Sequence, residues 1–318
     1  MNYQEENAKR HKGKKKIFRW VVLFIALVVA ALCVFSAFYP AASWKYYFDL
    51  PAVSARGEGE LRIHYLDALH GDATLIECPD GKNILVGGGA DDESSRENIL
   101  RFLNALQIKK LDSIVATGVS RDQNGVFLQV LQFYEVGGVW LPAESNGQSG
   151  AYADFVAEVG RKGLDYHIAQ RGDTLFESGQ GSIKFLYPSV GGSVEATVLF
   201  VEYSGVSALV GGDLSDATLQ YLKSERTLGG FEKQGIDLTK AHIVKVERSV
   251  DNEALRSFLF EFGVETAVVS CREGNSYEPD EARMQAVLEE ALQAFRTDKN
   301  GHISFALKDG RYTVAAQK

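Results

Sequence analysis

The 318-residue sequence predicts an α/β (α+β) domain of two packed sheets with outer helices, preceded by one N-terminal transmembrane helix. Three observations carry that reading. Short β-rich runs alternate with helical stretches through two successive halves of the chain. One long charge-free run lies near the N-terminus. A content of 45% hydrophobic and 24% charged residues is that of a globular protein with a sizeable core.

Residues 1–19 form a basic tail, with seven Lys/Arg against Glu5 and Glu6, a net +5. Residues 20–39, WVVLFIALVVAALCVFSAFY, hold no charge over twenty positions. A helix rising ~1.5 Å per residue spans ~30 Å over that length, the thickness of a bilayer core. Trp20 and Tyr39 stand at its two ends, where amphipathic rings prefer the headgroup layer. The basic flank then predicts a single-pass protein of the cell membrane, its N-terminus cytoplasmic and its C-terminal domain outside. A cleaved leader and a buried helix are the alternatives. The run exceeds the ~7–15-residue core of a signal peptide, although YPAAS offers small residues for cleavage.

A stalk follows over residues 40–60, then the domain, residues 61–318. LRIHYLD, ATLIEC and NILVG read as strands, the last two parted by the turn PDGK. Ser94 and Glu97 make an S-x-x-E capping box opening the helix SSRENILRFLNALQI, whose Ile99, Leu100, Leu103 and Leu106 share one face. The strand DSIVAT leads to TGVSRDQNG, residues 117–125, and to an apolar helix near FLQVLQFY. GGVWLP, a helix near AYADFVAEVGRKG, and strands around YHIA and SIKFLYP complete the first half. The second half reads as strands VEATVLFVEY and VSALVGG, a helix after Ser215, strand AHIVKVE, helix NEALRSFLFEF and strand TAVVSC. A long helix DEARMQAVLEEALQAF and a hairpin HISFALKDGRYTVAA close the chain.

Residues 40–318 carry a net −13, which does not favour nucleic acid, whose phosphates reward Lys and Arg. Of the three cysteines, Cys33 lies in the anchor. Cys78 and Cys271 are far apart and read either as a pair in an oxidising space or as buried free thiols.

The motifs of the domain resemble those of the metallo-β-lactamase fold, in its ComEC competence-protein branch. LDALHGDA keeps Asp67, Gly71 and Asp72 of that branch's D-V-G-Q-G-D-A, and LVGGG, residues 85–89, stands for its L-I-D-T-G. TGVSRDQNG matches T-H-x-H-x-D-H-x-G, and Gly212–Asp213 matches a strand ending G-D. KVERSVD matches K-V-x-H-H-G-S, and NSYEP the one-residue-longer N-x-Y-G-H-P. RTDKNGHI, residues 296–303, keeps R-T-D-x-x-G-x-I intact. The resemblance runs from about residue 61 to 315 and implies an αββα sandwich of two sheets with outer helices.

It also implies a site, and the departures fall there. In the family the loop histidines and aspartate hold one or two metal ions that generate hydroxide near neutral pH. Here Gly118, Ser120 and Gln123 replace the loop histidines, and Arg248 and Ser249 the later pair. Glu278 stands at the last histidine, and Gly87 replaces an aspartate. Asp122 and Asp213 remain. None of the six histidines (His11, His64, His70, His167, His242 and His302) occupies a ligand position. A divalent cation such as Mg²⁺ or Ca²⁺ held by Asp122, Asp213 and Glu278, with Glu247 in reach, is the alternative to no cofactor, although Arg248 opposes it. The plainer roles for Asp122 and Asp213 are caps of the helices that follow them. Ser120 has no histidine at a recognisable spacing, and the glycines of GGGA lack the Lys–Ser/Thr of a phosphate loop.

The sequence therefore predicts a hydrolase fold that is not an active zinc hydrolase. The expected function is a non-catalytic binding or scaffold protein, with a hydrolase of phosphodiesters or esters using carboxylates as the alternative. Arg121, Arg248 and Ser249 would make the cleft receptive to a small anionic ligand, and a protein partner is the other expected occupant.

Overall fold

The computed structural model describes residues 3–69, 71–120, 122–142, 150–187, 197–212, 214–246, 251–272, 274 and 281–318. The chain divides into two units, Met1–Phe48 and Asp49–Lys318.

The first unit is a long helix, α1 (Tyr3–Phe38), followed by a 3₁₀ turn, Ala41–Tyr47. Lys16–Ala37, with a mean hydropathy of 2.8, is long and apolar enough to cross a bilayer. Tyr39 falls just past the helix end and stacks on Phe35 at 4.7 Å, while Trp44 Nε1 donates to the Tyr39 carbonyl at 2.8 Å. The turn is thus pinned to the end of its own helix.

The second unit opens with β1 (Leu61–Tyr65), β2 (Thr74–Glu77), β3 (Asn83–Val86) and α2 (Glu93–Ala105). Then come β4 (Lys110–Leu111), β5 (Ser113–Val115), α3 (Phe127–Phe133), β6 (Glu135–Val136), β7 (Val139–Leu141), α4 (Ala151–Lys162) and β8 (Tyr166–Ile168). The second half supplies β9 (Thr174–Ser178), β10 (Gly181–Tyr187), β11 (Val198–Tyr203), β12 (Val206–Gly211) and α5 (Asp216–Thr227). It continues with β13 (Ile243–Val246), α6 (Asn252–Glu261), β14 (Thr266–Val269), α7 (Glu281–Glu290) and β15 (Gln293–Arg296). The short α8 (Thr297–Asn300) leads into the hairpin β16 (Ile303–Lys308) and β17 (Arg311–Ala316).

Among the described residues the strands form two large sheets, ordered β17-β16-β1-β2-β3-β5-β7-β8 and β15-β14-β13-β12-β11-β10-β9, with a small β4-β6 ladder. Period-two alternation decides which side chains face inward. Ile63, Tyr65, Ile76, Ile84, Val86 and Phe305 of the first sheet pack against Phe185, Leu199, Val201, Val210 and Ile243 of the second. The other face of the second sheet, with Leu209, Val244 and Val269, packs on Leu219, Leu222, Phe258 and Val287 of α5, α6 and α7. Ile99, Leu100, Phe102 and Leu103 of α2 are fully buried, and Phe102 meets His64 on the outer face of the first sheet. The arrangement is the expected two-sheet, outer-helix sandwich.

Several local expectations change. Asp92, not Ser94, caps α2: its side chain accepts from Ser95 N, two positions before the expected start. The expected single helix through residue 295 ends at Glu290, and the apolar continuation QAFR is β15, paired in parallel with β14. TLFES forms the unforeseen β9, a polar edge strand. Asp122 does not cap α3, whose N-cap position is Val126 with no side-chain bond. Ser215, rather than Asp213, caps α5 by accepting from Thr218 N. Cys78 and Cys271 are buried free thiols, each pushed up to about 12 by burial.

Candidate functional site

Loop 117–125 leaves β5 and enters α3 at the seam between the sheets. The Thr117 carbonyl accepts from Thr197 N at 2.8 Å, and the Thr197 carbonyl accepts from Gly212 N at 3.2 Å. These bonds join the end of β5 in one sheet to the β11–β12 ladder in the other. A Cβ on Gly212 would lie 3.0 Å from Thr117 Cβ, which shows how closely the two loops meet.

Two further motifs close on the same loop through backbone. Gly88 N donates to the Gln123 carbonyl at 2.7 Å, Gly125 N to that of Gly89 at 2.9 Å, and Gly89 N to that of Asp72 at 3.0 Å. Such approach leaves no space for side chains. Gly87 has φ +74°, and a Cβ there would sit 2.4 Å from the Asp72 carbonyl oxygen. Residue 87 is where the resemblance puts an aspartate, so at this backbone the position excludes any side chain.

The loop's side chains bond within the loop. Gln123 is buried, and its Oε1 accepts from Ser120 N at 3.2 Å. Asn124, also buried, donates from Nδ2 to the carbonyls of Gly118 (3.0 Å) and Ser120 (2.9 Å). Ser120 is exposed, Asp122 is half-buried, and Gly118 is buried.

Among the described residues, the seam also holds a buried charged pair that was not among the sequence-predicted site positions. Lys245, on the inward face of β13 and 3% exposed, is ion-paired with the buried Asp72 and also donates to the Gly211 carbonyl at 3.4 Å. The available signal was a lysine in the apolar run HIVKV, together with an aspartate in the retained HGDA turn.

Of the sequence-predicted positions, Gly118, Ser120, Asp122 and Gln123 stand together on this loop. Arg121, Asp213, Glu247, Arg248, Ser249 and Glu278 lie outside the described residues. Among the described residues, no group of three or more His, Cys, Asp or Glu is placed to hold a metal ion.

The intact motif 296–303 has structural partners. Arg296 makes a two-point contact with Asp298 (Nε 3.0 Å, Nη2 2.7 Å), which holds the Asp298 carboxyl below the usual range against the opposing effect of burial. Thr297 Oγ1 accepts from Cys271 N at 3.0 Å and donates to the Cys271 carbonyl at 3.1 Å, tying α8 to the chain after β14.

The described histidine side chains are engaged elsewhere. His302 Nδ1 accepts from Asp67 N at 3.0 Å, and burial pulls its pKa down to about 3. His242 Nδ1 bonds Ser207, and His167 stacks on Trp140 at 4.7 Å. His64 lies between Glu77 and Ser304, its pKa lowered by burial. The side chains of His11 and His70 lie outside the described set.

No protein-family profile matches the chain. It is 24% identical over 290 residues to ComE operon protein 3 of Bacillus subtilis (strain 168), covering 84% of this chain. The chain spans about a third of the length of that curated relative (35%). Among solved structures, the metallo-β-lactamase fold protein YhfI from Bacillus subtilis superposes with a TM-score of 0.51 at 11% identity, over 80% of this chain and 100% of that one. The β-hydroxylase CmlA gives 0.50 at 14% identity, over 80% of this chain and 54% of that one. The chain has the metallo-β-lactamase fold, and its likeness to ComE operon protein 3 supports placing it in the ComEC-like branch.

Proposed function

We propose that this chain is a membrane-anchored, extracytoplasmic metallo-β-lactamase-fold protein that works without a metal, as a binding or scaffold module. The observation that carries this is the bonding of loop 117–125. Zinc takes imidazole nitrogen, thiolate or carboxylate donors, and its second shell cannot replace an empty first one. At the positions of the three loop histidines this chain offers no side chain at Gly118, an exposed hydroxyl at Ser120, and at Gln123 an amide whose oxygen is turned onto the Ser120 N–H. Gly87 can carry no aspartate, and Lys245 brings a fixed cation to the seam. That donor set does not fit zinc.

The same features leave the seam able to bind. Arg121, Arg248 and Ser249, placed there by the resemblance, would receive a small anion, since Arg offers a planar two-point fork. The membrane reading rests on the Lys16–Ala37 segment and the seven Lys/Arg before Trp20.

The test is elemental analysis of the full chain purified in detergent. Zinc should be well under one equivalent, and a chelator should leave the melting temperature unmoved. Phosphodiesterase and β-lactam hydrolysis should stay at background with added Zn²⁺ or Mn²⁺. A metal at thousandfold saturation stabilises its fold by about 4 kcal/mol, so a working site could not hide from the melting curve. A stoichiometric metal that survives dialysis, with a chelator-induced fall in melting temperature, would replace this reading by a cation on Asp122, Asp213 and Glu278.

A further inference from the structure

A second constellation lies away from the seam, on the outer face of the first sheet. The alternation that sends Leu61, Ile63 and Tyr65 inward turns Arg62 and His64 outward. His64 is paired across the ladder with Ser304 of β16 and lies diagonal to Glu77 of β2. Ser304 Oγ is 2.7 Å from His64 Nδ1, and His64 Nε2 is 2.8 Å from Glu77 Oε2. With a carboxylate accepting the Nε2 proton, Nδ1 is left to accept from the serine hydroxyl. That is the order of roles in a nucleophile–base–orienter relay.

The serine opens onto a cavity of about 60 Å³, walled by Pro51, Val53, Arg62, Phe102, His302 and Ser304. That volume holds roughly four non-hydrogen atoms, by the measure in which one water fills ~10–15 Å³. His64 is fully buried, so water does not compete for its base nitrogen. Arg62, which is ion-paired with Glu60 at 3.1 Å, lines the same cavity.

We propose that Ser304, His64 and Glu77 form a serine-nucleophile site for esters of small acyl groups, distinct from the former metal cleft. Ser304 Oγ attacks the ester carbonyl carbon and its proton passes to His64 Nδ1. The tetrahedral intermediate collapses with cleavage of the bond to the alkoxy oxygen, and the leaving alcohol takes the proton from His64. Water then adds to the acyl-serine by the same base, releasing the acid and restoring the hydroxyl. Glu77 accepts the hydrogen bond from Nε2–H throughout, and that proton stays on the ring.

The test uses the full chain in detergent with methanesulfonyl fluoride, whose methyl group fits the cavity, and with p-nitrophenyl acetate. Peptide mapping should place the sulfonyl group on Ser304, fluoride being the leaving group, and acetate ester turnover should vanish after this labelling. Ser304→Ala should abolish both labelling and turnover while its melting temperature stays within a few degrees of the parent. Glu77→Gln, a near-isosteric change, should slow labelling on the order of a hundredfold, within the range of general acid–base contributions. Absence of adduct on Ser304 in the folded parent, or equal ester turnover by Ser304→Ala, would overturn the proposal. Neither outcome bears on metal content at the seam.

Discussion

The loop 117–125 and the motif 296–303 belong to one resemblance and have fared differently. In the C-terminal motif the side chains kept are those whose partners are in the chain itself: Arg296 on Asp298, and Thr297 on the backbone of Cys271. The same holds at the seam for Asp72 and Lys245. In loop 117–125 the departures from the resemblance are Gly118, Ser120 and Gln123, while Asp122 is kept, and the described side chains of Gln123 and Asn124 bond within the loop itself. One motif thus ties separate elements together, and the other closes on its own backbone.

The sharpest way to break this comparison is to attack the buried pair. Lys245→Met leaves the Asp72 carboxylate buried without its cation, and should lower unfolding free energy by about 3–5 kcal/mol in a urea titration. Adding Asp72→Asn should return part of that loss, because no charge is then stranded. A cost below about 1 kcal/mol for Lys245→Met would mean that the pair does not tie the sheets.

Acid tests a region outside both motifs' side-chain pairs. His302 is held neutral, with a folded pKa of about 3 against 6.5 when exposed, and His64 is shifted the same way. Between those limits the unfolded chain binds more protons, so stability rises with pH and is lost as pH falls from 6.5 toward 3. The slope is about 1.4 kcal/mol per pH unit for each histidine kept neutral. Burial raises the Asp67 carboxyl and so opposes this just above its ordinary 3.8. Melting curves from pH 7 to 4 should therefore fall steadily, and a flat profile would contradict the burial of these rings.

The smallest effects compare the two motifs directly. Thr297→Val removes both bonds to Cys271 and should cost about 1–2 kcal/mol. Ser120→Ala keeps the backbone N–H that Gln123 uses and should stay within about 0.5 kcal/mol. Equal costs would erase the distinction.

Much of the architecture was legible because β-rich runs with inward Ile and Val at alternate positions announce strands without reference to distant partners. Errors came where two local signals competed. Asp92 and Ser94 could each cap α2, and only the first has its oxygen in reach of an N–H of the opening turn. QAFR continues the apolar pattern of α7, but the helix stops at Glu290 and QAFR pairs in parallel with β14 as β15. The candidate site was legible through motif order, yet its bonding was not. Asp72 and Lys245 lie 173 positions apart and meet only because the two sheets pack, while His64 and Ser304, 240 apart, meet only because β1 pairs with β16.

Gly87 limits what can be built into the seam. The main chain there is a left-handed turn, with the Asp72 carbonyl where a Cβ would be. Any side chain introduced at residue 87 must shift two loops that are bonded to each other, so a carboxylate placed there comes with a less stable protein. The turn is a lock on the backbone that a single substitution cannot open.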